Sequence, residues 1–212
     1  FWSPNINIFR DPRWGRGHET YGEDPYLTGQ IGIQFVKGLQ GNDPKYLKLV
    51  ATAKHFAVHS GPESERHFFN ATVNQRDLWE TYFPAFEDLV IKANVYSIMG
   101  AYNRVNGESS SASDYLLQKI LRDKWGFKGY VVSDCGAIND IHANHKIVKT
   151  PEESAALGVI TGCDLNCGGI YQNHLQESVA LGLISEKEID NAVYRLFLAR
   201  MKLGMFDPAE IV

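Results

Sequence analysis

The sequence predicts an α/β fold, a partial (β/α) barrel of about five βα units. Three observations predict it. Short apolar runs alternate with helical patterns along the chain, which is the signature of a parallel sheet with helices outside. The runs are apolar without strict polar alternation, as suits strands buried on both faces. Polar residues cluster just after these runs, at the strand ends where barrels carry their chemistry. With 212 residues, the chain falls short of the ~250 residues and eight strands of a closed barrel. The front of the barrel is therefore expected to be missing.

Strands are expected over 3–8, 49–56, 95–102, 130–134 and 162–166. The first helix, 25–39, opens on Pro25 and carries Tyr26, Gly29, Ile33 and Val36 near helical spacing. The second, 76–93, carries Leu78, Tyr82, Phe86 and Leu89, and Pro84 should bend it. The third, 114–125, starts after Ser113 as N-cap and stops at Gly126. Thr150-Pro151-Glu152-Glu153 combines an N-cap, a first-position proline and a capping-box glutamate. Ser185-Glu186-Lys187-Glu188 repeats the box and opens a helix with Ile189, Val193, Leu196 and Phe197 on one face, ended by Gly204.

Composition excludes several classes. The chain is 44% hydrophobic and 22% charged, with net charge −4, an ordinary globular balance. It has no basic block of the kind that binds nucleic acid. No apolar run approaches the ~20 residues of a membrane span. Cys135, Cys163 and Cys167 lack common zinc-site spacing, so neither a metal nor another cofactor is expected. The chain opens on Phe1-Trp2-Ser3-Pro4 without an initiator Met, so its silence about targeting means little.

The run Tyr130-Val131-Val132 ends in Ser133-Asp134-Cys135-Gly136. In isolation, Asp134 reads as a turn residue that caps the segment after the strand. The other strand ends argue for more. They supply Arg10-Asp11-Pro12-Arg13-Trp14-Gly15-Arg16, Lys54-His55-Phe56, Met99-Gly100-Ala101-Tyr102-Asn103 and Asp164-Leu165-Asn166-Cys167-Gly168. One rim thus holds several cations and few acids, and Asp134 has neutralising company. Each group also has a plainer reading: Lys54 and His55 as a strand-end pair, the arginines as a solvated turn, Tyr102 as core. The joint pattern outweighs these.

Those residues resemble glycoside hydrolase family 3. The resemblance rests on Trp2-Ser3-Pro4-Asn5-Ile6-Asn7 with Arg10 through Pro25, on Ala53-Lys54-His55-Phe56, and on Ala101-Tyr102-Asn103 with Asn106-Gly107. It continues through Trp125-Gly126-Phe127 with Val132-Ser133-Asp134 to Lys202-Leu203-Gly204-Met205-Phe206-Asp207. It implies that residues 1–212 are an incomplete N-terminal barrel domain, with the following α/β sandwich domain absent from this chain. It implies a retaining exo-β-glycosidase with Asp134 as nucleophile. Arg16, Lys54, His55 and Arg66 then grip the hydroxyls of the terminal sugar, Tyr102 stands beside the nucleophile, and Met99 lines the pocket. The general acid usually comes from the second domain. One branch uses a histidine after Lys-His-Phe, but the Asp-paired motif of that branch is absent around His59.

The resemblance also bears on the sugar. Cys135 stands where glucosidases of the family commonly carry Trp. Cys135 and Cys167 resemble the β-xylosidase branch, in which cysteines at these places can pair. Trp2 aligns with an aromatic on the same side of the pocket. The expected substrate is a xylo-oligosaccharide or aryl β-xyloside, with β-glucosidase as the alternative. A non-catalytic carbohydrate-binding fragment and, more weakly, a phosphate-binding barrel remain as readings of other classes. The family resemblance favours a periplasmic or secreted location.

Overall fold

The computed structural model describes residues 1–212. Its framework is a parallel array of extended segments with helices packed on one side. The first segment contributes a single parallel bridge, Asn5 to Lys54. Helix α1, Pro25–Gln40, is capped by Asp24, whose side chain accepts from Leu27 N–H. Strand β1, Thr52–Phe56, comes next. The short strand β2, Asn70–Ala71, leads to α2, Gln75–Asp77, then a π-helical turn over Leu78–Tyr82, then α3, Pro84–Ala93. The expected bend at Pro84 takes this form: proline has no N–H to continue the ladder, and the wider turn ends just before it.

Strand β3, Ser97–Gly100, precedes the small strands β4, Arg104–Val105, and β5, Glu108–Ser109. A π-helical segment over Tyr115–Lys124 is capped by Ser113, whose Oγ accepts from Leu116 N–H at 3.0 Å. Strand β6, Tyr130–Ser133, is followed by α4, Ala137–Ala143, α5, Pro151–Thr161, α6, Ile170–Ala180, and α7, Glu186–Lys202. Both expected capping boxes form, at Thr150/Glu153 and Ser185/Glu188.

The main sheet runs β1-β3-β6 in parallel. The bridge at Asn5 extends it on one side, and a bridge from Val132 to Leu165 extends it on the other. All five expected strand positions thus lie side by side in chain order, although the first and fifth make single bridges rather than ladders. A second sheet, β2-β4-β5, is not foreseen from the sequence, nor are α4 and α6. No helix is long and apolar enough to cross a membrane.

Residues alternate sides along a strand. Ala53, Ile98 and Val131 join the helix-facing core with Phe56, Phe83, Phe86 and Leu117. Lys54, Met99 and Val132, which are mutual register partners, face the opposite side. Cys163 is buried in the helix-facing core. Asp164, expected among the rim groups, turns instead toward the helices. Its buried carboxylate meets Arg122 at 2.9 Å and Arg195 at 2.7 Å and accepts Val131 N–H. It ties α7 and the π-helical segment to β6 rather than serving the rim.

Candidate active site

The site begins with an irregularity in β1. Lys54 pairs with Met99 and Phe56 with Gly100, so one residue on β1 has no counterpart on β3. A bulge of this kind re-aims a side chain. It explains how the consecutive residues Lys54 and His55 both serve one rim when a regular strand would send them to opposite faces.

His55 is fully buried and locked by Asn7 across 48 residues. Asn7 Oδ1 accepts from His55 N–H at 2.8 Å and lies 2.9 Å from Nδ1, while Asn7 Nδ2 donates to His55 O at 2.8 Å. The last bond fixes which end of the amide is oxygen, so Nδ1 carries a proton. Burial pushes the imidazole pKa well below its ordinary value, with His59 and Arg16 adding to the effect. The ring is therefore neutral, and Nε2 presents a lone pair.

That nitrogen lies 3.4 Å from Asp134 Oδ2. Asp134 stands just past the end of β6 in a tight turn. Gly136, at φ 86°, adopts the left-handed conformation that glycine tolerates best. The turn-capping reading fails for the Asp134 side chain: Oδ1 accepts from Cys135 N–H at 2.8 Å, and α4 has no side-chain cap. Oδ2 is buried without a hydrogen-bond partner. An unpaired buried carboxylate oxygen is costly, and such groups mark sites where something else binds.

Cations surround it. Arg16 Nη1 is 3.7 Å from Oδ2, and Lys54 contributes its field to the same carboxylate. Burial pushes the Asp134 pKa above the usual aspartate value, while Cys135 N–H, Arg16, the Tyr102 hydroxyl and Lys54 pull it down. Burial wins, so the neutralising partners expected from sequence offset its effect only in part. Burial and the neighbouring carboxylate push Tyr102 up to about 12, which keeps its hydroxyl a donor. Burial, reinforced by Arg16, lowers the pKa of Lys54.

The structure brings together Arg16, Lys54, His55, Tyr102 and Asp134. Arg66 joins them with its guanidinium 5.7 Å from the Tyr102 ring centroid, but it is ion-paired with Glu63. Cys135 and Cys167 form a disulfide beside the turn, with Cα atoms 4.4 Å apart. Met99 lies on the same inner side but is 1% exposed, a wall residue below the rim. Trp2 is not brought to the cluster. Phe1 and Ser3 carbonyls bind Thr52 N–H at the start of β1, which puts Trp2 at the opposite end of the strands from Asp134. Arg13 is exposed and paired with Asp11, apart from the site.

Sequence reasoning missed two supporting groups. Glu19 grips Arg16 through two hydrogen bonds of 2.7 and 2.9 Å, and its pKa falls to about 2, chiefly through that bond. Asn7 is the other. His59 is buried behind the rim between Trp14, His55 and Tyr102, and burial lowers its pKa to about 3. No group of three or more metal-ligating side chains occurs. A cleft of ≈ 720 Å³ lined by Gln40, Tyr96, Phe127 and Lys202 opens at the N-terminal ends of the strands, far from these groups.

Comparison with known proteins matches residues 1–199 to the glycosyl hydrolase family 3 N terminal domain. A xylan 1,4-beta-xylosidase from Xylanibacter ruminicola is 54% identical over all of this chain and 25% of its own length. A beta-xylosidase/alpha-L-arabinofuranosidase from Medicago sativa subsp. varia is 46% identical over 98% of the chain and 28% of its own length. A solved GH3 exo-beta-xylosidase, in complex with a xylobiose aziridine activity-based probe, superposes with TM-score 0.93 at 38% identity. It covers 96% of this chain, which spans 27% of that one. A beta-glucosidase from Listeria innocua superposes with TM-score 0.88 at 32% identity, over 97% of this chain and 29% of its own. This chain, which spans about a quarter of the length of its relatives, belongs to glycoside hydrolase family 3, within that family's N-terminal domain.

Proposed function

We propose that the protein containing this chain is a retaining exo-β-glycosidase that removes terminal β-D-xylose from xylo-oligosaccharides, with Asp134 as nucleophile. The observation that carries this reading is Asp134 Oδ2, a buried carboxylate oxygen with no hydrogen-bond partner, 3.4 Å from His55 and 3.7 Å from Arg16. Such an oxygen is free to attack an anomeric carbon, and the cations around it keep a share of it ionised. Lys54, Arg66 and Arg16 offer donors to sugar hydroxyls, and His55 Nε2 offers an acceptor. Contacts of this kind are most effective when they tighten in the distorted transition state.

Retention also needs a second carboxyl ~5–5.5 Å away to protonate the leaving oxygen. Glu19 is held at about 2 by Arg16 and His59 at about 3, so neither keeps a proton to give near neutral pH. The proposal is that a domain outside this chain supplies the acid, and that residues 1–212 form five βα units of a barrel completed elsewhere. The parallel order from Asn5 to Leu165 supports the second point.

Xylose is preferred because the Cys135–Cys167 disulfide walls one side of the turn that carries the nucleophile. A pentose lacks an exocyclic CH₂OH, so a close wall admits it and repels glucose. The xylosidase relatives agree with this choice. The β-glucosidase likeness favours the second reading. Cys135→Trp in the full-length protein separates them: the xyloside-to-glucoside ratio should fall, and an unchanged ratio removes the argument for a steric wall. The function itself is tested with aryl β-xyloside and a 2-fluoro-xylosyl donor. The donor should label Asp134 covalently, and a label on another residue would refute the assignment.

A further inference from the structure

Tyr102 lies at the end of β3 beside the Asp134 turn, where each influences the other's pKa, and a pair of residues outside the sugar-gripping cluster holds its ring. His67 packs edge-on against it, with ring centroids 4.6 Å apart and planes at 64°. His67 Nδ1 lies 2.8 Å from Asp140 Oδ2. A carboxylate only accepts, so Nδ1 donates. Asp140 is buried and sits on α4, the helix that begins three residues after Asp134. Its other oxygen accepts from Asn144 Nδ2 at 2.6 Å. Both oxygens are thus committed, and the carboxylate fixes the imidazole plane rather than swinging free.

The arrangement closes a circuit. Asp134 and Asp140 share one turn and helix, His67 comes from the loop that also carries Arg66, and Tyr102 comes from the end of the β3 segment. A hydrogen bond with one half-exposed partner contributes only modestly to stability by itself. A pair packed edge-on against an aromatic ring restricts that ring.

We propose that His67, oriented by Asp140, is a positioning residue for the nucleophile, acting through the Tyr102 ring rather than by touching the sugar. This rests on the assignment of Asp134 above. Releasing His67 lets the phenol drift, withdraws its hydroxyl from the neighbourhood of Asp134 and alters the field at the attacking oxygen.

The test uses the full-length protein and a dinitrophenyl β-xyloside. His67→Ala should lower kcat by about 10- to 100-fold, the scale of small misplacements of reacting groups, with KM little changed. A change in KM alone overturns the proposal. In a double-mutant cycle, His67→Ala added to Tyr102→Phe should cost less than about a further twofold, because the two act as one unit. Multiplicative losses overturn it. If His67→Ala fails to fold, Asp140→Asn, which keeps the shape of the site, carries the same expectations. A crystal structure of either variant gives a readout independent of activity: the Tyr102 ring should shift or lose order, and an unmoved ring overturns the proposal. If the wild-type protein hydrolyses neither β-xylosides nor β-glucosides, the function above fails, and the crystallographic arm still decides the role of His67.

Discussion

Removing the Cys135–Cys167 bond by a double change to Ala should cost stability more than chemistry. The bridge joins residues 32 apart in sequence. Loop-closure entropy for a ring of that size amounts to about 4 kcal/mol at 25 °C, an upper value because the unfolded chain retains some structure. At 2–4 °C per kcal/mol for a domain of this size, the melting temperature should fall by roughly 8–16 °C. Two backbone bonds survive the change: Cys135 N–H to Asp134 Oδ1 at 2.8 Å and Gly136 N–H to Cys167 O at 2.8 Å. The carboxylate therefore keeps its orientation, and kcat should drop less than about tenfold, under ~1.4 kcal/mol. Differential scanning fluorimetry of the full-length variant gives the first number and aryl-xyloside turnover the second. Alkylation of the denatured, unreduced chain should modify Cys163 alone among residues 1–212. Modification of Cys135 and Cys167 as well, or an unchanged melting temperature, would refute the reasoning.

Three variants of the site carry four further expected outcomes. Asp134→Asn should abolish turnover, and residual activity within about tenfold of wild type, a loss of only ~1.4 kcal/mol, would exclude the nucleophile assignment. The same variant should melt no lower, and somewhat higher, than wild type at neutral pH. The folded pKa of Asp134 is raised, so its relative contribution to stability is greatest below the unfolded aspartate pKa and is lost as pH rises through the folded value. Lys54→Ala should reduce kcat/KM by about 10²–10⁴-fold through a lost charged hydrogen bond plus orientation, and normal kinetics with poor stability would make Lys54 a structural residue. Arg16→Leu should move the acid limb of the kcat/KM profile to higher pH, because Arg16 pulls the Asp134 pKa down; a limb that moves to lower pH would contradict the electrostatics.

Local signals in the sequence were enough for the frame. Thr150-Pro151-Glu152-Glu153 and Ser185 with Glu188 announced two helix starts because capping chemistry is local. The five strand positions were visible as apolar runs, but their pairing was not. A ladder depends on what lies opposite, so positions 3–8 and 162–166 shrank to single bridges. The hairpin between β4 and β5, which turns at Asn106-Gly107 with both residues at positive φ, was not foreseen, because strands of two residues give no period to read. Of the site, Asp134, Arg16, Lys54, His55 and Tyr102 were legible as polar strand ends. Asn7 and Asp140 were not, since their partners lie 48 and 73 residues away. Asp164 turns to the helices and not to the rim, because chain position alone does not fix which face of the sheet a carboxylate takes.

The unmatched residue in β1 has a consequence for altering the sugar preference proposed above. Two side chains of the candidate site there share a single frame of reference, so a one-residue deletion or insertion in the strand displaces the ammonium and the imidazole together. A change of register there cannot move one without the other. The loops after β6 and after Leu165 are tied to each other by the Cys135–Cys167 disulfide and by Gly136 N–H donating to Cys167 O, but they do not share the register of β1. Libraries for altered substrate range belong in those loops, with Thr52–Phe56 held constant as the datum from which the rest of the pocket is measured.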